Sequence, residues 1–273
     1  MSAEKLCRRR LALRNGHASF RCMNLSCNAC IALSWAVLCG CSNTSSENVT
    51  TQGIHADIDV IAAGSGATVV TAELEVGTDG FGRTSLELTG GDSLTVLANG
   101  MQKTMTEDSS VIGRFSYSAS FDFDDADTIF TVAFNRDNGV NAPNSNVALP
   151  AGFTVASPSS NDVFSSTDDI PILWMPSGNS IVPSIHVTLS CTLTNGLPIS
   201  DVETVSLSSD SGVVSLPVAA VIPQGNLDAT RLCEGNVDLS RWRRGNLDPN
   251  YGEGGEITAE HYEDAQFFVD LSL

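Results

Sequence analysis

Phe115-Ser116-Tyr117-Ser118-Ala119-Ser120-Phe121-Asp122-Phe123 alternates without a break, apolar at every odd position and polar at every even one. Successive side chains of a strand point to opposite faces, so this stretch predicts a strand with one buried face and one wet face. Phe130, Val132 and Phe134 repeat the pattern after the four-residue turn Asp124-Asp125-Ala126-Asp127, which reads as a hairpin with an aromatic inner face. Outward from there, strands are expected over 57–62, 68–76, 84–88, 93–98, 114–123 and 128–135. Gly90-Gly91 reads as a tight hairpin between Leu86/Leu88 and Leu94/Val96, and Asn99-Gly100 closes the next one. Residues 135–150, dominated by Asn, Asp, Gly and Pro, read as a linker or long loop ending near Pro150.

The second half continues in the same style. Ile185, Val187, Leu189, Cys191 and Leu193 share one parity, as do Cys233, Val237 and Leu239 later on, and the chain ends on Phe267, Val269, Leu271 and Leu273. Helical periodicity is almost missing, and the recurring period of two between turn residues predicts an all-β chain. Both sulfurs can lie on the buried side. Cys191 and Cys233 are the two cysteines left in the exported part, and an even pair in an oxidising compartment reads as an inter-strand disulfide.

Ile170-Pro171-Ile172-Leu173-Trp174-Met175-Pro176, a short strand with a core Trp followed by Pro, resembles a fibronectin type III or related immunoglobulin-like module. The resemblance covers residues 151–273; together with the sandwich read from the alternating strands of 53–150, two immunoglobulin-like β-sandwich domains are expected. Trp174 precedes both cysteines, so the antibody order of Cys, Trp, Cys is not followed.

The N-terminal region carries a different message. From Cys30 to Cys41 only Ser34 is polar, a run too short for a spanning helix of roughly 20 residues and within the roughly 7–15 of a signal peptide's apolar core. Upstream lie Lys5, Arg8, Arg9, Arg10, Arg14 and Arg21 against the single acid Glu4. A start at Met23 would leave a leader without a basic side chain, so the longer leader, residues 1–40, is preferred. Leu38-Cys39-Gly40-Cys41 resembles the lipobox of bacterial lipoproteins, with Cys39 a departure at the position before Gly40.

That resemblance implies that Cys41 is lipidated and becomes the first residue. Its acyl chains would then hold the protein on a membrane without a spanning helix. Residues 41–52, small and polar, read as the lipidated Cys and its flexible tether. Ser42 fits sorting to the outer membrane of the cell envelope by the same analogy. An ordinary secretory signal cut near Gly40 would instead release a soluble protein.

The exported part keeps eight basic against 31 acidic residues, a formal charge of −23. Such a surface repels nucleic acid, which is excluded as a partner. The expected partners are the membrane, through the lipid, and an envelope protein or glycan. No catalytic pattern appears: His55, His186 and His261 are isolated, and neither H-E-x-x-H nor G-x-S-x-G occurs. The chain is expected to be no enzyme, to need no cofactor, and to serve as a binding or structural module. An adhesion or carbohydrate-binding module and a secreted hydrolase are the alternatives.

Two groups stand out as candidate sites. Asp122, Asp124, Asp125 and Asp127 cluster on one hairpin and could supply some of the six to eight oxygens calcium takes, without the Gly and distal Glu of an EF-hand. Arg241, Trp242, Arg243 and Arg244 with Tyr251 read as a recognition loop, because Arg, Trp and Tyr are enriched at interface hot spots. Pairing of those arginines with acidic neighbours is the alternative.

Overall fold

The computed structural model describes residues 44–77, 82–109 and 114–273. The leader, the lipobox and Cys41 lie outside them. In chain order the strands are β1 (Thr44–Ser45), β2 (Ile54–Ala62), β3 (Thr68–Val76), β4 (Thr84–Glu87), β5 (Ser93–Ala98) and β6 (Met101–Thr104). There follow β7 (Thr106–Ser109), β8 (Phe115–Phe121), β9 (Ile129–Asn135), β10 (Ala142–Ala148), β11 (Thr154–Ser157) and β12 (Val163–Ser165). The last are β13 (Asp169–Met175), β14 (Ser184–Thr192), β15 (Pro198–Val205), β16 (Val213–Pro217), β17 (Cys233–Arg244) and β18 (Gly255–Asp270). Three single 3₁₀ turns complete the described residues, which contain no α-helix.

These strands build three sheets. One continuous sheet runs β1-β4-β3-β2-β18-β17-β14-β15, with β8 and β7 added on β3 and β12 on β18; the others are β10-β9-β5-β6 and β11-β13-β16. Two apolar clusters result. The first is filled by Ile58, Leu74 and Phe121 from the continuous sheet against Val96, Phe130 and Phe134 from the four-stranded one. The second sets Val187, Leu239 and Phe267 against Ile170, Ile172 and Trp174 of the three-stranded sheet.

The period-two expectation for Phe115–Phe123 holds: Phe115, Tyr117, Ala119 and Phe121 are buried. The hairpin does not. β8 belongs to the continuous sheet and pairs with β3 and β7, whereas β9 belongs to the opposite sheet. The aromatic faces therefore meet across the core, Phe121 edge-on to Phe130 with ring centroids 5.5 Å apart, rather than lying side by side. Gly90-Gly91 likewise joins two sheets, since β4 pairs with β3 and β1 while β5 pairs with β9 and β6. Asn99-Gly100 does close a hairpin, with Ala98 opposite Met101. The segment read as a linker over 135–150 contains β10, an antiparallel partner of β9. Its Asn-rich sequence hides a strand because only Ala142, Ser145 and Val147 turn inward, with a register shift between Ala142 and Ser145.

Division of the chain at Pro150 is not how the clusters form. β17 and β18 make one long antiparallel hairpin, paired from Cys233↔Val269 to Arg244↔Thr258. The other edge of β18 pairs in parallel with β2 from Gly255↔Ala56 to His261↔Ala62, and then with β12 from Val163↔Phe268. Ile257 and Ala259 accordingly belong to the first cluster, and Phe267 and Val269 to the second.

The tether expected over 41–52 is built into the fold from Thr44 on. β1 pairs in parallel with β4, and Ser46 and Thr51 are buried. The Arg136 guanidinium clasps this segment, donating from Nη2 to Ser46 O (2.6 Å) and from Nη1 to Val49 O (2.8 Å) and Thr51 Oγ1 (3.2 Å). Its Nε donates to Asp92 Oδ2 at 3.2 Å.

Candidate functional site

Of the residues read as a recognition loop, Arg241 to Arg244 lie on a strand and only Tyr251 lies in a loop. Arg241 to Arg244 end β17, and the strand's alternation sends them to opposite sides. Cys233, Val237, Leu239 and Arg241 face inward, and Trp242 faces out. Arg241 is fully buried where the strand passes from one cluster to the other. It donates through Nη1 to Ala151 O (3.1 Å) and Gly152 O (3.2 Å), and through Nη2 to Pro176 O (2.8 Å) and Asp210 Oδ2 (2.7 Å). Asp210 is as deeply buried as its partner and accepts further bonds from Trp174 Nε1 (2.7 Å) and Asn179 N (2.8 Å). A buried guanidinium needs such partners; both Nη atoms have them, and only Nε is left without a bond. Arg241 is therefore a structural hub that ties the 151–152 crossing and the turn at Pro176 to the hairpin.

Tyr251 is likewise interior. It stacks on Phe134 with centroids 6.3 Å apart, and burial raises its phenol pKa above the usual range. The loop that carries it is stitched to β10. Asn146 and Asn246 exchange backbone bonds of 2.8 Å, and the buried Asp248 accepts from Asn144 N at 2.8 Å. Arg243 donates to Asp127 Oδ1 at 2.7 Å, and Arg244 lies 3.6 Å from Glu256. Both arginines thus pair with acidic neighbours.

Of the five, Trp242 alone keeps its aromatic surface in water, 56% exposed. Glu260 is its partner across β18, and Tyr262, opposite Ser240, lies diagonally beside it. Tyr262 donates its hydroxyl to Asp238 Oδ1 at 2.7 Å, and Thr258 donates to Asp59 Oδ1 at 2.7 Å. Farther along this outer face Glu256, Asp57 and Glu73 sit opposite one another on β18, β2 and β3. Burial, reinforced by Glu75, Asp57 and Asp59 and opposed by Arg114, raises the Glu73 pKa. The result is an open, acidic, hydrogen-bonding surface with one projecting indole.

The other candidates separate. Asp124 accepts from Gly66 N at 3.1 Å, and Asp127 is held by Arg243. Among the described residues no group of three or more His, Cys, Asp or Glu is placed to hold a metal ion, so the Asp122, Asp124, Asp125 and Asp127 carboxylates do not converge. Cys191 and Cys233 are disulfide-bonded, and they join neighbouring strands of one sheet rather than two sheets. His55 bonds to Glu253 O (3.0 Å) and Asp57 Oδ1 (3.1 Å), and His186 to Ser184 Oγ (3.2 Å) and Thr204 Oγ1 (3.0 Å). A cleft of about 390 Å³ lies away from all of these, between the N-terminal segment and the turn after β9, lined by Glu47, Thr51, Arg136 and Val140 among others.

His261, read from the sequence only as an isolated histidine, has a distinct setting. It is buried, and burial lowers its pKa. Parity was the available signal, since Ile257, Ala259 and His261 alternate inward just as Val237, Leu239 and Arg241 do. Asp210, in the Ser-rich stretch Ser208-Ser209-Asp210-Ser211, carries no such signal. Among the described residues no helix is long and apolar enough to cross a membrane.

No family model matches the chain, and no curated protein does. Among solved structures it is similar to the chicken CNTN1 FN1-FN3 domains, at 13% identity and a TM-score of 0.21, with 81% of this chain and 67% of that one covered. The adhesin InvE of Yersinia pseudotuberculosis matches at 12% identity and a TM-score of 0.21, over 80% of this chain and 59% of that one. SGBP-B of the Bacteroides ovatus mixed-linkage glucan utilization locus, solved with a mixed-linkage heptasaccharide, matches at 10% identity and a TM-score of 0.18, over 78% and 60%. The chain thus spans about three fifths to two thirds of those chains. Scores this low assign no ligand; the all-β architecture rests on the ladders and the two clusters.

Proposed function

We propose that the chain is a non-catalytic binding module of the bacterial cell envelope, held on the outer membrane by lipid on Cys41 and docking its partner on the outer face around Trp242. The observation that carries the binding part is the exposed indole. Trp242 contributes to neither cluster, yet it stands 56% exposed, beside Glu260 and Tyr262 and in the cross-strand row that Ile61 and Val69 continue. A large rigid aromatic surrounded by hydrogen-bonding groups is the residue type that anchors interfaces. The flanking Glu260, Tyr262 and Thr258 offer carboxylate and hydroxyl groups to a ligand with hydroxyls of its own, which favours a glycan over an apolar protein surface. Two immunoglobulin-like sandwiches sharing one sheet are the scaffold in this reading.

Trp174 is buried and Trp242 exposed, so Trp242 emission reports on its own face. Titration with soluble envelope and polysaccharide-derived oligosaccharides is expected to shift that emission, and Trp242→Ala to abolish binding with an unchanged melting temperature. Binding that survives Trp242→Ala would refute the surface. For the anchor, mass spectrometry is expected to find acyl chains on Cys41. An unmodified amino terminus on protein recovered wholly from the medium would refute it.

A further inference from the structure

His261 is the last residue of β18 to pair with β2, opposite Ala62, and it faces Arg241 across β17. Its side chain is 3% exposed, and neither ring nitrogen makes a hydrogen bond. The Phe153 backbone bears on its protonation but does not meet it at hydrogen-bonding geometry. The Phe153 ring is shared: the imidazole tilts against it at 5.3 Å and the Arg241 guanidinium lies over it at 4.9 Å. The crossing closes over the imidazole so tightly that a Cβ on Gly152 would fall 2.8 Å from Cε1. This is the seam where the chain passes from the first cluster to the second.

The charged groups bearing on the ring are few: β17 brings Arg241 and the turn after β8 brings Asp124. Asp210 is already committed to Arg241, Trp174 and Asn179 and does not reach His261. Burial is the largest influence and lowers the His261 pKa in the closed seam; Asp124 comes next and opposes it, and Arg241 then adds to the lowering.

We propose that His261 is a proton-operated latch: a proton on the free lone pair of its ring sets a second cation against Arg241 and releases residues 255–261 from β2 and from the 151–153 crossing, while β9 and β14 keep their pairing. Asp124 bears on the ring in the closed seam and favours its protonated form there, so it opposes the latch and burial must outweigh it. The neutral ring is preferred when the seam is closed, so the latch is fully fastened above the ordinary histidine pKa of about 6.5 and loosens as pH falls below it. One proton taken up on opening raises the opening equilibrium by up to about tenfold per pH unit.

Hydrogen exchange on the intact chain, read as protection factors from pH 7.5 to 5, tests this. Peptides covering 54–62 and 255–261 are expected to lose up to about tenfold in protection per pH unit below 6.5. Those covering β9 and β14 are expected to stay constant, and His261→Phe to abolish the pH response. Joint loss in all peptides, an unresponsive seam, or a wild-type response in His261→Phe would each overturn the latch. If His261→Phe fails to fold, His261→Gln takes its place. An NMR titration of the wild-type ring also decides the matter: an ordinary pKa with an undisturbed ladder overturns the latch, and a depressed pKa whose midpoint coincides with ladder opening supports it.

Discussion

Removing the Asp210 carboxylate is the sharpest test of how the hairpin is tied down. Asp210→Ala leaves the Arg241 guanidinium buried against three carbonyls with no counter-charge, and strands the Trp174 Nε1 donor that it satisfied at 2.7 Å. Breaking a buried ion pair from one side costs roughly 3–5 kcal/mol, and a stranded buried donor roughly 1–3. Allowing for overlap, a loss of about 4–6 kcal/mol is expected, a large part of the 5–15 typical of a folded chain. Arg241→Met removes the cation instead and leaves Asp210 charged, but still bonded to Trp174 and Asn179. The double variant has no buried charge left, so it should cost at least about 2 kcal/mol less than the sum of the singles. Urea unfolding, followed by circular dichroism and by Trp174 emission in a Trp242→Phe background, measures all three. Single losses under about 1 kcal/mol, or additivity within about 0.5, would show that the pair does not hold the seam.

Replacing Cys191 and Cys233 together by Ser should cost up to about 4 kcal/mol for a crosslink spanning 42 residues, read as a shift of the urea midpoint that reductant reproduces in the wild type. Gly235→Ala would place a Cβ 2.2 Å from the Phe267 ring that lies across it, so overpacking should remove about 1–3 kcal/mol, partly restored by Phe267→Leu. Arg136→Ala leaves Asp92 buried without its cation and releases the segment from Ser46 to Gly53. Limited proteolysis is then expected to nick 46–53 while the rest of the chain resists.

Strand existence was legible where the inner face is uniformly apolar. Thr68–Val76 and Ser93–Ala98 match their expected ranges residue for residue. Partnership was not legible. The same alternation that marks Phe115–Phe121 and Ile129–Asn135 as half-buried is satisfied by a hairpin or by two facing sheets, and only the packing of Phe121 on Phe130 decides between them. β10 was missed because its inward positions include Ala142 and Ser145, which carry little hydrophobic signal. At the site, residue type misled where parity would have helped. Arg241 and Tyr251 have the chemistry of recognition residues, but one continues the inward row of Val237 and Leu239 and the other packs on Phe134.

The parallel pairing of β18 with β2 joins residues about 200 positions apart, as far as Gly255 is from Ala56. A polypeptide made or threaded amino end first must keep that edge of β2 waiting until residues 255–261 arrive, roughly 10–40 s at ordinary synthesis rates. During that interval the bare edge is a template for pairing with other chains. Arrival of β18 is thus the committing event in maturation, and chains cut short before it should aggregate through the exposed edge of β2.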